Sequence, residues 1–146
     1  MNQQGWERLL CNYFYTVCLK VLSAYFSEYG FVPEKNKVGG VTFRKHDIFV
    51  EISYDPETYP RYSLTMVVGV GAGAYDDWGK FTGIPIWSIM PEDGVSSEFS
   101  TWIFSDEHEL EDVLTKTKTM VLDKYIKPLW ENKVKLEEEI KQFLAR

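Results

Sequence analysis

The chain contains 146 residues with a mass of 17.0 kDa, a length that suits one domain spanning residues 1–146. Apolar residues make up 45% of the chain and charged residues 26%, proportions that exclude a disordered, collagen-like or low-complexity protein. The net charge is −6, and residues 47–100 alone carry −7, so this segment is expected to repel nucleic acid and anionic lipid and to attract basic partners.

Apolar side chains recur at alternating spacings of three and four residues from Trp6 to Tyr29, which predicts a long amphipathic helix. Gly30 follows at once and predicts the end of this helix, because glycine readily takes the left-handed conformation found after a helix C-terminus. The polar face is close to neutral, so the helix is expected to pack on a sheet and not on a membrane surface.

Both cysteines, Cys11 and Cys18, fall within this predicted helix. Seven residues of helix separate their Cα atoms by roughly 10 Å, farther than the about 7 Å that a disulfide can span. Cys18 lies on the apolar stripe and is predicted to be buried, whereas Cys11 lies outside it. Unpaired thiols, a start that lacks the layout of a secretion signal and the lack of a long apolar run together predict a cytoplasmic protein without a membrane span.

The first two predicted strands form a hairpin. Val41 and Phe43 alternate with polar residues, and the alternation resumes after a turn predicted at Lys45 and His46. That turn would pair Phe43 with Ile48 and would keep the apolar side chains of both strands on one face of the sheet.

Three further strands are predicted at 62–70, 84–89 and 99–104. Pro85 cannot donate a backbone hydrogen bond, so its strand is expected to lie at an edge of the sheet or to begin irregularly. The short connections favour an antiparallel meander over crossover helices.

Helices are predicted after the sheet. Ser105 precedes a first turn rich in acidic residues, the pattern of a helix N-cap. Pro128 is expected to end or kink this helix because it cannot bond to the carbonyl of Lys124. A shorter amphipathic helix follows, with apolar residues at Leu136, Ile140, Phe143 and Leu144. The sequence therefore predicts an α+β fold with a long N-terminal helix, an antiparallel meander of about four to five strands and C-terminal helices packed on one face of the sheet.

No residue pattern predicts a catalytic centre, a metal site or a cofactor. The glycines of residues 69–73 are followed by turn residues and not by the helix that a nucleotide-binding fingerprint requires. His46 and His108 lack a second histidine or cysteine at metal-binding spacing and are expected on the solvated surface. Neither cysteine lies in a setting typical of a nucleophile, so the sequence favours a non-enzymatic protein.

The segment 72–83 mixes aromatic and acidic side chains in a turn-rich stretch. Exposed tyrosine and tryptophan beside acidic residues are typical of an interaction surface, although the same rings could fold inward and cap the core. Asp76 and Asp77 could also form a carboxylate pair with Asp55 or Glu57 for general acid–base chemistry. Aspartate in a glycine-rich turn, however, more often caps the backbone. The predicted partner-binding residues are Tyr75, Asp76, Asp77, Trp78, Phe81, Asp55 and Glu57.

In outline, most of the chain resembles a loose group of small bacterial α+β proteins of unknown function. The first similar feature is a helix ending in Gly-Phe, at Gly30–Phe31, followed by two alternating strands at Val41–Arg44 and Ile48–Ile52. The others are an acidic helix at Glu109–Leu114 and a Lys-Pro-Leu-Trp stop at Lys127–Trp130. Similar chains include immunity-type proteins that neutralise contact-delivered toxins, so the resemblance implies a binding role.

Two functional hypotheses follow. The first is a non-enzymatic cytoplasmic binding protein, immunity-like, that presents an acidic aromatic surface to a basic protein and binds neither nucleic acid nor membrane. The alternative is a small-molecule-binding module or an unrecognised hydrolase with a pocket between the sheet and the helices. A concave pocket with convergent polar groups would favour the alternative, and neither hypothesis requires a cofactor.

Overall fold

A computed structural model describes residues 11–36, 39–56, 60–75, 78, 81–89 and 102–145. The elements follow the chain in this order: α1 (Phe14–Glu28), β1 (Val32–Lys35), β2 (Val41–Lys45), β3 (Ile48–Asp55), β4 (Tyr62–Val70), β5 (Gly83–Pro85), a 3₁₀ turn (Ile86–Ser88), β6 (Ile103–Phe104), α2 (Glu107–Thr117), a π-helical segment (Lys118–Ile126), α3 (Lys127–Trp130) and α4 (Lys133–Leu144).

The strands form one antiparallel sheet in the order β1-β2-β3-β4-β5, and β6 pairs with the start of β4. Side chains from one face of this sheet and from the helices form a single hydrophobic core. The predicted α+β fold with a meander and helices on one face is therefore confirmed. Strand β5, which contains Pro85, lies at the end of the strand order, as the proline predicts.

The hairpin of β2 and β3 has a different register from the predicted one. Lys45, and not Phe43, pairs with Ile48, so the turn residues are His46 and Asp47. His46 takes a φ of 56°, a conformation that few non-glycine residues adopt. The apolar face is nevertheless as predicted, because a shift of two residues preserves the alternation of side chains.

Two other strand predictions require correction. Strand β1 is absent from the sequence-based prediction, because it is short and contains Pro33. The strand predicted at 84–89 ends at Pro85, and the residues after it form the 3₁₀ turn, where the Ser88 hydroxyl donates to the Pro85 carbonyl at 2.8 Å. Of the strand predicted at 99–104, residues 103–104 are a strand, Trp102 is a bend, and residues 99–101 lie outside the described residues.

Helix α1 begins at Phe14, so the prediction that one helix holds both cysteines is wrong for Cys11; residues 1–10 lie outside the described residues. Cys11 is buried, contrary to its predicted place outside the apolar stripe, and its backbone N–H donates to the Tyr54 hydroxyl at 2.9 Å. Cys18 is fully buried as predicted, and both thiols are free.

The C-terminus of α1 confirms the predicted glycine stop. Gly30 has a φ of 88°, and its N–H donates to the Ser27 carbonyl at 3.0 Å. The N–H of Phe31 donates to the Phe26 carbonyl, also at 3.0 Å, and the two rings pack with centroids 5.5 Å apart. These two bonds and the ring contact constitute a Schellman motif, which requires the left-handed residue that glycine supplies.

The N-cap of α2 is Asp106 and not Ser105. The Asp106 carboxylate accepts the N–H of Glu109 at 2.8 Å, while the Ser105 hydroxyl donates to the Glu109 carboxylate. His46 and His108 are both exposed, as predicted.

The helical path from α2 continues through Pro128, where the sequence predicts an end or a kink. The nine residues before α3 are π-helical, with the Lys127 N–H donating to the Leu122 carbonyl five residues earlier. These wider turns relieve the clash that proline makes with the carbonyl four residues before it in a regular α-helix. Tyr25 on α1 donates to the Asp123 carboxylate at 2.5 Å and so ties the π-helical segment to α1.

Leu22→Ala should lower the free energy of unfolding by about 2–4 kcal/mol, because Leu22 is fully buried and its truncation leaves a cavity. Val21→Ala should cost at most about 1 kcal/mol, since Val21 is only partly buried at the margin of the core. Urea denaturation of both variants measures the difference. Equal midpoints for the two variants would contradict the orientation of α1.

Protein purified without reductant should contain two free thiols. Burial raises the pKa of both the Cys11 and the Cys18 thiol, so the native protein should react with a thiol reagent far more slowly than the denatured protein. Thiol titration before and after denaturation tests this expectation. A native mass lower by two hydrogens would reveal a disulfide and contradict it.

Candidate functional site

Residues 71–82, hereafter the aromatic loop, leave the sheet between β4 and β5. The N–H of Thr82 donates to the Ala74 carbonyl at 2.8 Å, and its hydroxyl donates to the Gly73 carbonyl at 2.6 Å. Tyr75 and Phe81 form an antiparallel bridge, with their ring centroids 5.4 Å apart. The two arms of the loop are therefore held together. Residues 76, 77, 79 and 80 lie outside the described residues.

The guanidinium group of Arg44 fixes the first arm of the aromatic loop. Its Nη1 donates to the Gly71 carbonyl at 2.8 Å, and its Nη2 donates to the Ala72 carbonyl. Its Nε donates to the Glu34 carboxylate at 3.0 Å. Because hydrogen bonds from a charged group are stronger than neutral ones, Arg44 ties the base of the loop to strands β1 and β2.

A row of residues on the sheet face opposite the helices explains why positions 69 and 83, near the loop, are glycines. Arg44, Phe49, Gly69 and Gly83 are successive cross-strand partners on β2–β5. The Phe49 ring is fully buried, and a Cβ on Gly69 would lie 2.7 Å from its Cζ and 2.8 Å from the Gly83 Cα. Gly69 is thus required for packing, and the residues after the glycines are bends and a bridge, not the start of a helix.

The structure separates the three predicted rings of the loop. Trp78 is 93% exposed and Tyr75 is 64% exposed. Phe81 is half-buried, and its ring centroid lies 6.1 Å from that of Phe143 on α4. The alternative that the rings fold inward therefore describes Phe81 only.

The predicted acidic residues are not all near the loop. Asp55 pairs with Ser63, whereas Ile48 at the other end of β3 pairs with Val70, next to the loop. Seven residues of strand, about 23 Å, separate the two ends. The structure therefore does not place Asp55 at the base of the aromatic loop. Glu57, Asp76 and Asp77 lie outside the described residues.

A groove that the sequence analysis does not predict lies beside the loop. It has a volume of about 510 Å³ and runs between the aromatic loop and α4. Val134 is 69% exposed and Leu144 is 42% exposed on its helix side. Its loop side is formed by Val70, Phe81 and Thr82. The only signal in the sequence is Val134, an apolar residue outside the core-facing stripe of α4.

Helix α4 is fixed to the sheet at its start. The Asn132 side chain accepts the N–H of Lys135 at 3.2 Å, and Leu136 is fully buried. The Lys133 ammonium donates to the Asp47 carboxylate in the β2–β3 turn at 2.6 Å. This ion pair holds the pKa of Asp47 below its usual value and raises the pKa of Lys133. The helix wall of the groove therefore has a defined position.

A second depression, the helix cleft, has a volume of about 320 Å³ and lies among the 3₁₀ turn, the π-helical segment, α3 and α4. Polar and apolar side chains both line it, and the lining residues are Ser88, Ile89, Lys124, Tyr125, Pro128, Leu129, Lys135 and Glu139. The Ser88 hydroxyl donates to a backbone carbonyl, so it is not arranged beside a base as a nucleophile would be.

No protein-family model, curated protein or solved structure matches this chain. Within the described ranges, no helix combines the length and apolar character needed to cross a membrane. Among the same residues, no group of three or more His, Cys, Asp or Glu side chains is placed to hold a metal ion.

Gly69→Ala should destabilise the protein by about 1–3 kcal/mol, because the added methyl group overlaps the Phe49 ring and the β5 backbone. Gly73→Ala is the matched control, since a Cβ there meets nothing within 4 Å. Denaturant midpoints of the two variants should differ accordingly. Equal loss in both variants would mean that the glycines act through backbone conformation and not through packing against Phe49.

Proposed function

We propose that this chain is a non-enzymatic binding protein that recognises a basic protein partner through the aromatic loop. The observation that carries the proposal is the exposure of Trp78 and Tyr75 on a loop whose base is held by side-chain hydrogen bonds. Tryptophan and tyrosine are the residues that most often dominate binding energy at protein interfaces.

The fixed base of the loop supports this role. Arg44 and Thr82 donate hydrogen bonds to backbone carbonyls on the first arm of the loop. The base of the loop therefore loses little conformational entropy on binding. Ordering a flexible loop at an interface reduces affinity, and fixing the base of the loop beforehand lowers that cost.

Charge supports a basic partner. The aromatic loop lies within residues 47–100, which carry −7, in a chain whose net charge is −6. An acidic surface steers a basic protein during encounter and repels acidic competitors. The resemblance to immunity-type proteins would make that partner a toxin, and the location where they meet would be the cytoplasm.

A small-molecule-binding role is the second candidate, favoured by the helix cleft. Lys124 and Lys135 line it together with Tyr125, and its volume of about 320 Å³ lies at the lower end of the range for ligand pockets. Two ammonium groups would select an anionic ligand, with Glu139 limiting the total charge that it could carry.

A photo-crosslinking phenylalanine derivative at position 78 should capture a protein of net positive charge in the cells that produce this chain. The same group at the exposed Thr16 position on α1 is the control and should capture no such protein. Crosslinking to an acidic protein, or identical products from both positions, would contradict the proposal.

With the captured partner in hand, raising the ionic strength to about 0.5 M should slow association at least about tenfold, while dissociation changes less. The double change Asp76→Lys with Asp77→Lys should reproduce the slower association. Trp78→Ala should instead raise the dissociation rate by about tenfold or more, as expected for an aromatic anchor. Surface plasmon resonance measures both rates, and unchanged kinetics in both variants would favour the small-molecule role.

A further inference from the structure

The groove beside the aromatic loop exposes apolar surface that the fold does not use. Val134 and Leu144 are 69% and 42% exposed on its helix wall, and Ile140 lies between them in sequence. On the opposite wall, Phe81 packs against Phe143, a partly buried residue that itself packs against the core. Exposed apolar side chains that converge on one concavity mark a binding surface more often than isolated ones do.

The polar groups of the groove stand at its rim and are mainly acidic. Glu137 and Glu138 line the helix wall, and Lys141 is the basic residue beside them. The Lys133 ammonium nitrogen, which forms an ion pair with Asp47, also lies 4.0 Å from the Glu137 carboxylate. Glu138 is exposed and forms no ion pair with any other described residue, so its charge is available to a partner.

These features select among the possible occupants. A second copy of the chain would bring a net charge of −6 toward an acidic rim, which like-charge repulsion opposes. A small molecule needs convergent polar groups to orient it, but the charged residues of this groove are exposed and the Thr82 hydroxyl already donates to the Gly73 carbonyl. A basic polypeptide segment with an apolar side chain satisfies both the apolar walls and the acidic rim.

We propose that the groove binds a segment of the basic partner that inserts one large aliphatic or aromatic side chain between Phe81 and Val134 and places a lysine or arginine beside Glu138. This inference rests on the proposed function and extends it, because the partner would contact the aromatic loop and the groove at the same time. Recognition is then divided between Trp78 on the loop and an apolar pocket on its flank.

A phage-displayed library of random peptides, selected on the immobilised full chain, provides the probe. Enriched peptides should combine a large apolar residue with a lysine or arginine a few positions away. Fluorescence anisotropy of an enriched peptide should show affinity about fivefold or more weaker for Val134→Ser and for Leu144→Ser. Both residues are exposed, so the variants should keep the denaturation midpoint of the parent chain.

Charge is tested by Glu138→Lys with Glu28→Lys as its control. Both residues are exposed and the net charge changes equally, but Glu28 lies on α1 and does not line the groove. Glu138→Lys should weaken the peptide about tenfold, and Glu28→Lys should weaken it less than about twofold. Equal effects of the two variants would show that only overall charge matters and would overturn the inference.

Four further outcomes bear on this inference and on the proposed function. Peptides weakened by Trp78→Ala but not by the groove variants would overturn the inference and leave the proposed function in place. Enrichment of acidic peptides would contradict both proposals. Failure to enrich any peptide, or a self-association in sedimentation equilibrium that Val134→Ser abolishes, would also overturn the inference, the latter by identifying a second copy as the occupant.

Discussion

The packing of Phe49 over Gly69 is the contact on which the candidate binding surface depends. Phe49 lies on the sheet face opposite the helices and is fully buried, because Gly69 and Gly83 leave room for its ring across β4 and β5. Arg44 occupies the next position of the same row and bonds to the carbonyls that follow β4. The start of the aromatic loop is thus held by side chains on two other strands, Arg44 on β2 and Phe49 on β3.

Other aromatic rings fill the core, which explains why rings of the aromatic loop can be exposed. Phe26 stacks on Phe43 with centroids 4.1 Å apart, and Trp130 packs against the same ring of Phe26 at 5.6 Å. These aromatic contacts fill the space between α1, the sheet and α3 without the rings of the loop. The exposure of Trp78 therefore does not disrupt the packing of the core.

Besides the buried Leu136, one contact joins α4 to the sheet and another joins it to the aromatic loop, and the groove lies beside them. The Lys133–Asp47 ion pair is exposed and holds the first turn of the helix near the β2–β3 hairpin; pairs of this kind contribute little stability but define geometry. Near the other end, the Phe143 ring meets Phe81 of the loop. The groove lies along the helix between these two contacts, with Val134 and Ile140 in its lining.

The sequence alone determined the features that depend on residues close together in the chain. The helix stop at Gly30, the alternation in β2 to β4 and the amphipathic face of α4 all follow from local periodicity and backbone preference, and the α+β order follows from them. The aromatic and acidic composition of residues 72–83 likewise identified a candidate surface, although periodicity cannot say which rings point outward.

Features that depend on contacts between distant residues could be seen only in the folded chain. Strand β1 exists because β2 supplies its hydrogen bonds, and Cys11 is buried because its N–H reaches Tyr54 on β3. Pro128 stays within a helical path because the π-helical segment before it is wider. The groove exists because α4 packs beside the aromatic loop, a long-range contact that no local pattern encodes. Residues 40 to 90 positions apart come into contact through packing and burial over the whole chain.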